Sequence, residues 1–320
     1  MSAFSDNLPD LLPPVRGRYT MNAPLGEVGW FRTGGTADVL YKPADREDLK
    51  TFLAGCPSQV PVTTLGVLSN AIVRDGGVRG VVIRLGRDFA DIETRLGGFV
   101  MAGAAALDIN VAMAAATAGI AGLEYLAGVP GTVGGAIRMN AGAYNSETKD
   151  VLMAAEALDR QGNPHTLTPA QMGMSYRHNA APEDLIFTGG VFQGQPGEQA
   201  EIERHINAIK ERRAETQPIR ARTGGSTFAN PSAEQLAEAG LPQETKTWQL
   251  IDRAGCRGLT VGGAQMSELH CNFMLNLGTA SAADLENLGE EVRKRVYENS
   301  GIQLRWEIKR IGEFHKGLVQ

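Results

Sequence analysis

Strand-like and helix-like runs interleave along this chain, and that order predicts an α/β or α+β protein. Three observations carry the expectation. Short β-branched runs are bounded by turn residues, and amphipathic stretches carry recognisable helix starts and stops. The length of 320 residues calls for two or three domains around separate cores.

The elements follow in order. Residues 1 to 20, rich in Pro and polar groups, read as an irregular lead-in. Alternation over Ala37-Asp38-Val39-Leu40-Tyr41 predicts a strand, and Asp45 caps a short helix running to Ala54. Val60 to Leu65 and Val81 to Leu85 are β-branched and read as strands, with a loop from Gly66 to Gly77 between them. Phe99 to Ala104 reads as a strand, and Asp108 to Ala118 as a helix closed by Gly119. Leu126 to Ala136 reads as a glycine-rich loop. Val151 to Leu158 and Leu185 to Phe192 are strands, and Glu201 to Glu215 is a charged helix stopped by Pro218. Further helices are predicted over Glu244 to Ala254 and Ala282 to Asn299. The second begins with a Ser281/Asp284 capping box and ends before Gly301. A last strand, Gln303 to Lys309, puts Leu304, Trp306 and Ile308 on one face and Arg305, Glu307 and Lys309 on the other.

Composition excludes several function classes. Hydrophobic residues make up 42% and charged residues 21%, an ordinary globular balance. The formal net charge of -5 gives no basic footprint for nucleic acid. Cys56, Cys256 and Cys271 form no CxxC pair and the five histidines no HExxH pattern, so neither a disulfide framework nor a metal site is expected. The N-terminus lacks the basic start and apolar run of a signal peptide, and no long uncharged apolar stretch predicts a membrane span. A reducing cytoplasm fits these features. The 39 glycines cluster at Gly34-Gly35, Gly76-Gly77, Gly128 to Gly135, Gly224-Gly225 and Gly262-Gly263. Several glycine loops in one chain favour a large extended ligand, although many turns would give the same count.

Single motifs decide little. The GxGxxG and GxxxxGK[ST] fingerprints are absent, so those two nucleotide folds are not expected. The loops at 66 to 77 and 128 to 135 can cradle phosphates through backbone N–H groups and the Ser69 hydroxyl, or can be tight turns. Ser226 is not in a GxSxG elbow, and alone it is a loop hydroxyl. Arg177 alone is a surface ion-pair partner, Glu307 a solvated carboxylate, and His178 and His270 receive no proton-transfer role.

Taken together, six spaced segments resemble the UDP-N-acetylenolpyruvoylglucosamine reductase (UDP-N-acetylmuramate dehydrogenase) family. They run in order from Phe31-Arg32-Thr33-Gly34-Gly35-Thr36-Ala37 to Glu307-Ile308-Lys309-Arg310-Ile311-Gly312, nearly the whole chain. The most specific stretch is Gly128-Val129-Pro130-Gly131-Thr132-Val133-Gly134-Gly135-Ala136, continuing to Tyr144. Ser175-Tyr176-Arg177, Gly225-Ser226-Thr227-Phe228-Ala229-Asn230-Pro231, and a segment joining Gly263-Ala264-Gln265 with His270-Cys271-Asn272-Phe273 add to it.

The resemblance implies an α+β fold: an FAD-binding module of the vanillyl-alcohol-oxidase (PCMH) type in two subdomains, 1–88 and 89–215, and a C-terminal α+β substrate domain, 216–320. It implies FAD contacts at Gly66, Ser69, Asn70 and Ala71, and at Gly128, Pro130, Gly131, Gly134, Ile137, Asn140 and Gly142. It implies Ser226 as general acid, Arg177 and Glu307 as partners of an enolate-like species, and Asn230 and Tyr176 as substrate contacts. NADPH is the implied co-substrate and UDP-N-acetylglucosamine enolpyruvate the implied substrate, in peptidoglycan synthesis, cell-wall biogenesis, cell shape and division. A monomer or weak oligomer, with neither nucleic acid nor membrane as partner, is expected. The short interval from Arg177 to Ser226 resembles the family's shorter type, which lacks a tyrosine-bearing lid. Val67 and Leu68 stand where glycines are usual, and Ala229 where a lysine is frequent. An oxygen-using flavoprotein oxidase and a flavin-free nucleotide-sugar binder are the rival functions.

Overall fold

Why the first third of the chain folds as it does is clearest at Asp48. Its buried carboxylate accepts hydrogen bonds from the N–H groups of Arg16 (2.6 Å), Gly17 (2.8 Å) and Ala44 (2.9 Å) and from the Tyr41 hydroxyl (2.7 Å). Burial pushes this carboxyl upward, and the hydrogen bonds outweigh burial and hold it below its ordinary value. The computed structural model describes residues 8–315. Within these residues there are two units: unit 1 is 8–23, 37–67 and 79–212, and unit 2 is 24–36, 68–78 and 213–315.

Unit 1 holds two cores. The first sheet orders its strands Arg18–Pro24, Thr36–Lys42, Val78–Ile83 and Val62–Thr64, the last pair parallel. The helix Arg46–Gly55, capped by Asp45 as expected, packs Leu49, Phe52 and Leu53 against Val39, Tyr41, Val81 and Ile83. The second sheet is fully antiparallel, in the order Pro164–Leu167, Leu152–Leu158, Ile186–Gln193, Phe99–Gly103 and Ile92–Arg95. Its core gathers Val100, Leu126, Ile137, Ala155 and Phe192 with Val111 and Ala115 of the helix Asp108–Thr117. Gly190 makes this packing possible: a Cβ there would lie 3.0 Å from Ile137 Cδ1.

Unit 2 is built on an antiparallel sheet ordered Arg222–Thr223, Met274–Asn276, Ala264–Met266 and Thr260–Val261. The helix Ala282–Ser300 covers it with Leu285, Leu288, Val292 and Val296. The Ser281/Asp284 box and the left-handed Gly301 (φ +72°) close its ends as the sequence predicts. Long-range support adds to these caps. The Asp75 carboxylate accepts from Ala282 N and Ala283 N (both 3.0 Å), and Arg74 pairs with the buried Glu286 at 2.8 Å.

Four expectations change. The lead-in is not wholly irregular, because Leu8–Leu11 is helical and a strand starts at Arg18; residues 1–7 lie outside the described residues. The loop from Gly66 contains the strand Ala71–Val73, which pairs in parallel with Lys309–Ile311. The glycine-rich stretch from Leu126 is a short 3-10 helix, Glu124–Gly128, followed by the helix Val133–Met139. Apolar residues 133, 136 and 137 give that segment a buried face, so the glycines do not prevent a helix. Finally, the strand expected over Gln303 to Lys309 is confined to Lys309–Ile311, preceded by one bridge between Trp306 and Phe228. The alternation there still sorts the side chains: Leu304 and Ile308 are buried, Arg305 and Lys309 exposed.

Candidate active site

In unit 1 the two glycine loops meet at a cavity of about 350 Å³, lined among others by Gly66, Thr132, Gly134, Arg84, Arg87 and Arg138. Gly66 lets the loops approach closely, since a Cβ there would lie 2.9 Å from Thr132 Oγ1 and press on that side chain. A Cβ at Gly134 would come 3.0 Å from that of Ala104. Three arginines, Arg84, Arg87 and Arg138, are among its lining residues. Arg138 is tied to the carbonyls of Ala181 (3.2 Å), Pro182 (3.0 Å) and Leu185 (2.5 Å). Burial draws Arg138 below its ordinary value, with Glu183 and Asp184 opposing. Backbone close to the void and cations around it fit a bound pyrophosphate, so the lining suits part of an extended FAD. The sequence singles out neither Arg84 nor Arg87, because nothing local distinguishes them from surface side chains, whereas Thr132 and Arg138 stand in the 128–144 segment without a role of their own.

The implied FAD residues divide into those with free approaches and those with full duties. Gly66 and Gly134 line the cavity. Gly128 packs on Tyr144, where a Cβ would meet the ring at 2.6 Å. Pro130 and Gly131 lie in the turn between the two short helices, and the Gly131 carbonyl accepts from Asp108 N at 3.2 Å. Ile137 is fully buried in the core, leaving only its backbone for contacts. Asn140 is also fully buried, at a left-handed helix end (φ +43°). Its amide donates to Ser175 O (2.8 Å) and Glu147 Oε2 (3.1 Å), and its oxygen accepts from Lys149 N (3.0 Å).

Asn140 thereby holds the turn that carries Arg177. Ser175 and His178 exchange backbone hydrogen bonds (3.0 and 2.9 Å), which closes a tight turn with Arg177 at φ +53°. Arg177 Nη2 donates to Gly142 O at 2.7 Å, and its guanidinium lies 5.2 Å from the centre of the exposed Tyr176 ring. Asn140, Gly142, Tyr176 and Arg177 are thus one cluster of unit 1.

In unit 2 the sequence-predicted residues also converge. Thr227 O accepts from Glu307 N at 2.9 Å, which places the Ser226 and Glu307 segments side by side. Asn70 joins them: its amide donates to Glu307 O (3.2 Å), and its carbonyl accepts from Lys309 N (3.0 Å). The Asn70 side-chain oxygen is buried with no hydrogen-bond partner among the described residues and would lie 3.3 Å from a Cβ at Gly225. Ser69 is buried nearby, its carbonyl 3.3 Å from the Cβ position of Gly224, and Ala71 opens the strand paired with Lys309. Asn230 accepts from Thr247 N at 3.1 Å, tying it to the helix Thr247–Arg253. The three implied catalytic groups belong to both units, Arg177 to the first and Ser226 and Glu307 to the second.

The departures at Leu68 and Ala229 acquire structure. Leu68 takes the left-handed conformation (φ +54°) that a glycine would adopt without strain, and its side chain is buried against the Gly29 backbone. Ala229 is buried, a methyl where a lysine is frequent.

Comparison with known proteins identifies the family. Residues 37–168 match the FAD binding domain, and residues 217–311 match the UDP-N-acetylenolpyruvoylglucosamine reductase C-terminal domain. A UDP-N-acetylenolpyruvoylglucosamine reductase of Parvibaculum lavamentivorans is 58% identical over 303 residues, 95% of this chain and 94% of that protein. One from Azorhizobium caulinodans is 56% identical over 313 residues, 97% of this chain and 98% of that protein. The crystal structure of the Thermus caldophilus UDP-N-acetylenolpyruvylglucosamine reductase superposes with a TM-score of 0.75 at 32% identity, covering 93% of this chain and 99% of that one. With its α+β architecture and FAD-binding domain, the chain belongs to the UDP-N-acetylenolpyruvoylglucosamine reductase family and is an FAD oxidoreductase.

Proposed function

We propose that this chain reduces the enolpyruvyl ether of UDP-N-acetylglucosamine to UDP-N-acetylmuramate with NADPH as electron donor. The step belongs to peptidoglycan precursor synthesis, hence to cell-wall biogenesis, cell shape, cell cycle and division, and takes place in the cytoplasm. The protein acts as a monomer or weak oligomer, and its working parts are the two flavin subdomains and the C-terminal substrate domain, divided near residues 88 and 215. The observation that carries the reading is the hydrogen-bonded frame of Asn70, Thr227 and Glu307, which sets the flavin loop beside the Ser226 and Glu307 segments.

FAD, when bound, supplies the hydride chemistry. Gly66, Ser69, Asn70, Ala71 and the 128–142 segment would hold it, and Thr132, Arg84 and Arg87 would offer a hydroxyl and two cations to a phosphate group there. The protein's own residues then act on the substrate's double bond, which gains a hydride at its terminal methylene and a proton at the carbon bearing the carboxylate. Ser226 delivers that proton. Arg177 places a fixed cation against the charge that builds on the carboxylate side. Glu307, in its protonated form, donates a hydrogen bond to the same enolate-like oxygens, and Asn230 and Tyr176 hold the substrate.

Ser226→Ala tests the assignment. Loss of one preorganised group at a transition state costs about 2.7–4 kcal/mol, roughly 10²–10³-fold in rate. The variant is expected to let NADPH bleach the flavin absorbance at the parent's rate. Return of the colour on adding the enolpyruvyl UDP-sugar is expected to be slowed by that factor. Normal turnover would remove Ser226 as the acid, and colour restored only by oxygen would favour an oxidase instead.

A further inference from the structure

The segment His270-Cys271-Asn272-Phe273 helps to define the family resemblance, yet the mechanism above gives it no task. Its asparagine is buried, 5% exposed, and spends its whole carboxamide on one residue. Asn272 Nδ2 donates to Phe228 O at 2.9 Å, and Asn272 Oδ1 accepts from Phe228 N at 3.1 Å. The Asn272 backbone carbonyl accepts from Thr227 N at 2.8 Å. A side chain thus does for Phe228 what a neighbouring strand would do, and the main chain beside it does the same for Thr227. On the other side Glu307 N donates to Thr227 O, and Ala229 N donates to Arg305 O at 2.9 Å.

Ser226 immediately precedes this clamped stretch. Ser226 itself is half-buried. Its direction follows from the backbone after it, which Asn272 holds from one side and the 305–307 segment from the other. We propose that Asn272 is a positioning residue for proton delivery, its side chain fixing Phe228, two residues after Ser226, so that the serine oxygen faces the carbon to be protonated. This rests on the reading of Ser226 as the acid. Asn272 acts only through that stretch and has no part in flavin reduction.

The test uses Asn272→Ala, which removes both side-chain bonds, and Asn272→Asp, which keeps the volume and the acceptor for Phe228 N but sets an oxygen against Phe228 O. Flavin content and melting temperature are recorded first. The two half-reactions are then followed separately by flavin absorbance, in water and in deuterium oxide. Displacing a reacting group by about 1 Å costs on the order of 10²-fold. Both variants are expected to retain flavin, to be reduced by NADPH at the parent's rate, and to keep the parent's KM for the UDP-sugar. The second half-reaction is expected to slow by about tenfold or more, with a solvent isotope effect larger than the parent's, because proton delivery becomes rate-limiting. An unchanged second half-reaction would overturn the proposal. So would equal slowing of both halves, or loss of flavin in both variants, since either makes Asn272 a purely structural residue. Failure of the parent itself to be reoxidised by the UDP-sugar would instead sink the reading of the reaction.

Discussion

Asn140 in unit 1 and Asn272 in unit 2 are both buried carboxamides placed beside a group assigned to catalysis, and they hold their targets in different ways. Asn140 occupies a left-handed helix end and ties two further segments, around Glu147 and Ser175, to it. Asn272 gives both bonds to the single residue Phe228. The first arrangement joins parts of the fold, whereas the second sets the register of one short stretch. Loss of Asn140 should therefore be felt in stability, and loss of Asn272 mainly in chemistry.

Asn140→Ala is expected to give the largest stability change. It removes three hydrogen bonds, to Glu147, Ser175 O and Lys149 N, at about 0.5–1.5 kcal/mol each, and forces alanine into a left-handed conformation. A chemical denaturation series is expected to show a loss of about 3 kcal/mol or more. Asn140→Gly removes the same bonds but permits the conformation, and is expected to recover about 1 kcal/mol of that loss. Should Asn272→Ala cost as much stability as Asn140→Ala, the distinction between the two clamps fails.

Leu68→Gly has a smaller expected effect, because two contributions oppose each other. Relief of a left-handed leucine gains about 1–2 kcal/mol, while exposing the space of a buried leucine side chain loses about 1.5–3 kcal/mol. Glycine also adds freedom to the unfolded chain, so the net expectation is a loss of about 1 kcal/mol. Flavin titration of the same variant checks whether the side chain restricts the loop, in which case FAD affinity rises.

The smallest effect is the pH dependence at His270, whose Nδ1 accepts from Asn272 N at 3.3 Å. Burial, with a smaller push from Arg257, holds this ring below its ordinary 6.5, while a backbone hydrogen bond opposes. The folded state therefore resists protonation. Its stability contribution is complete above the unfolded value and is lost as pH falls through the folded one. Denaturation midpoints of the parent are expected to fall from about pH 7.5 to about pH 5 more than those of His270→Gln. Equal slopes would show that the ring does not sense pH in this range.

Local signals were legible in the sequence and long-range ones were not. Ser281, Asp284 and Gly301 announce the long helix because capping chemistry is contained within a few residues. The same holds for Asp45. By contrast, Asp75 capping Ala282 and Ala283 across the chain has no local signature. The glycines of 128–135 announce a close approach, but the buried apolar side of Val133–Met139 that makes half of it helical is set by packing. Ser226, Arg177 and Glu307 gain meaning only as a set, through the family resemblance. Asn272 stood in a quoted motif, and its bidentate grip on Phe228 depends on a fold that brings residues 228 and 272 together.

Trp306 has a consequence of another kind. Its ring fills the space that a Cβ on Gly289 would need, at 2.1 Å from the ring carbon Cη2, and its indole N–H donates to Glu290 at 2.8 Å. It also packs 5.0 Å from the Phe228 ring and immediately precedes Glu307. The chain's other two tryptophans, Trp30 and Trp248, are 38% and 41% exposed. Replacing those two by phenylalanine would leave Trp306 as the single tryptophan, excitable apart from the six tyrosines at the red edge of the absorption. Its emission would then act as a built-in optical gauge of the Ser226–Glu307 framework, read without any label.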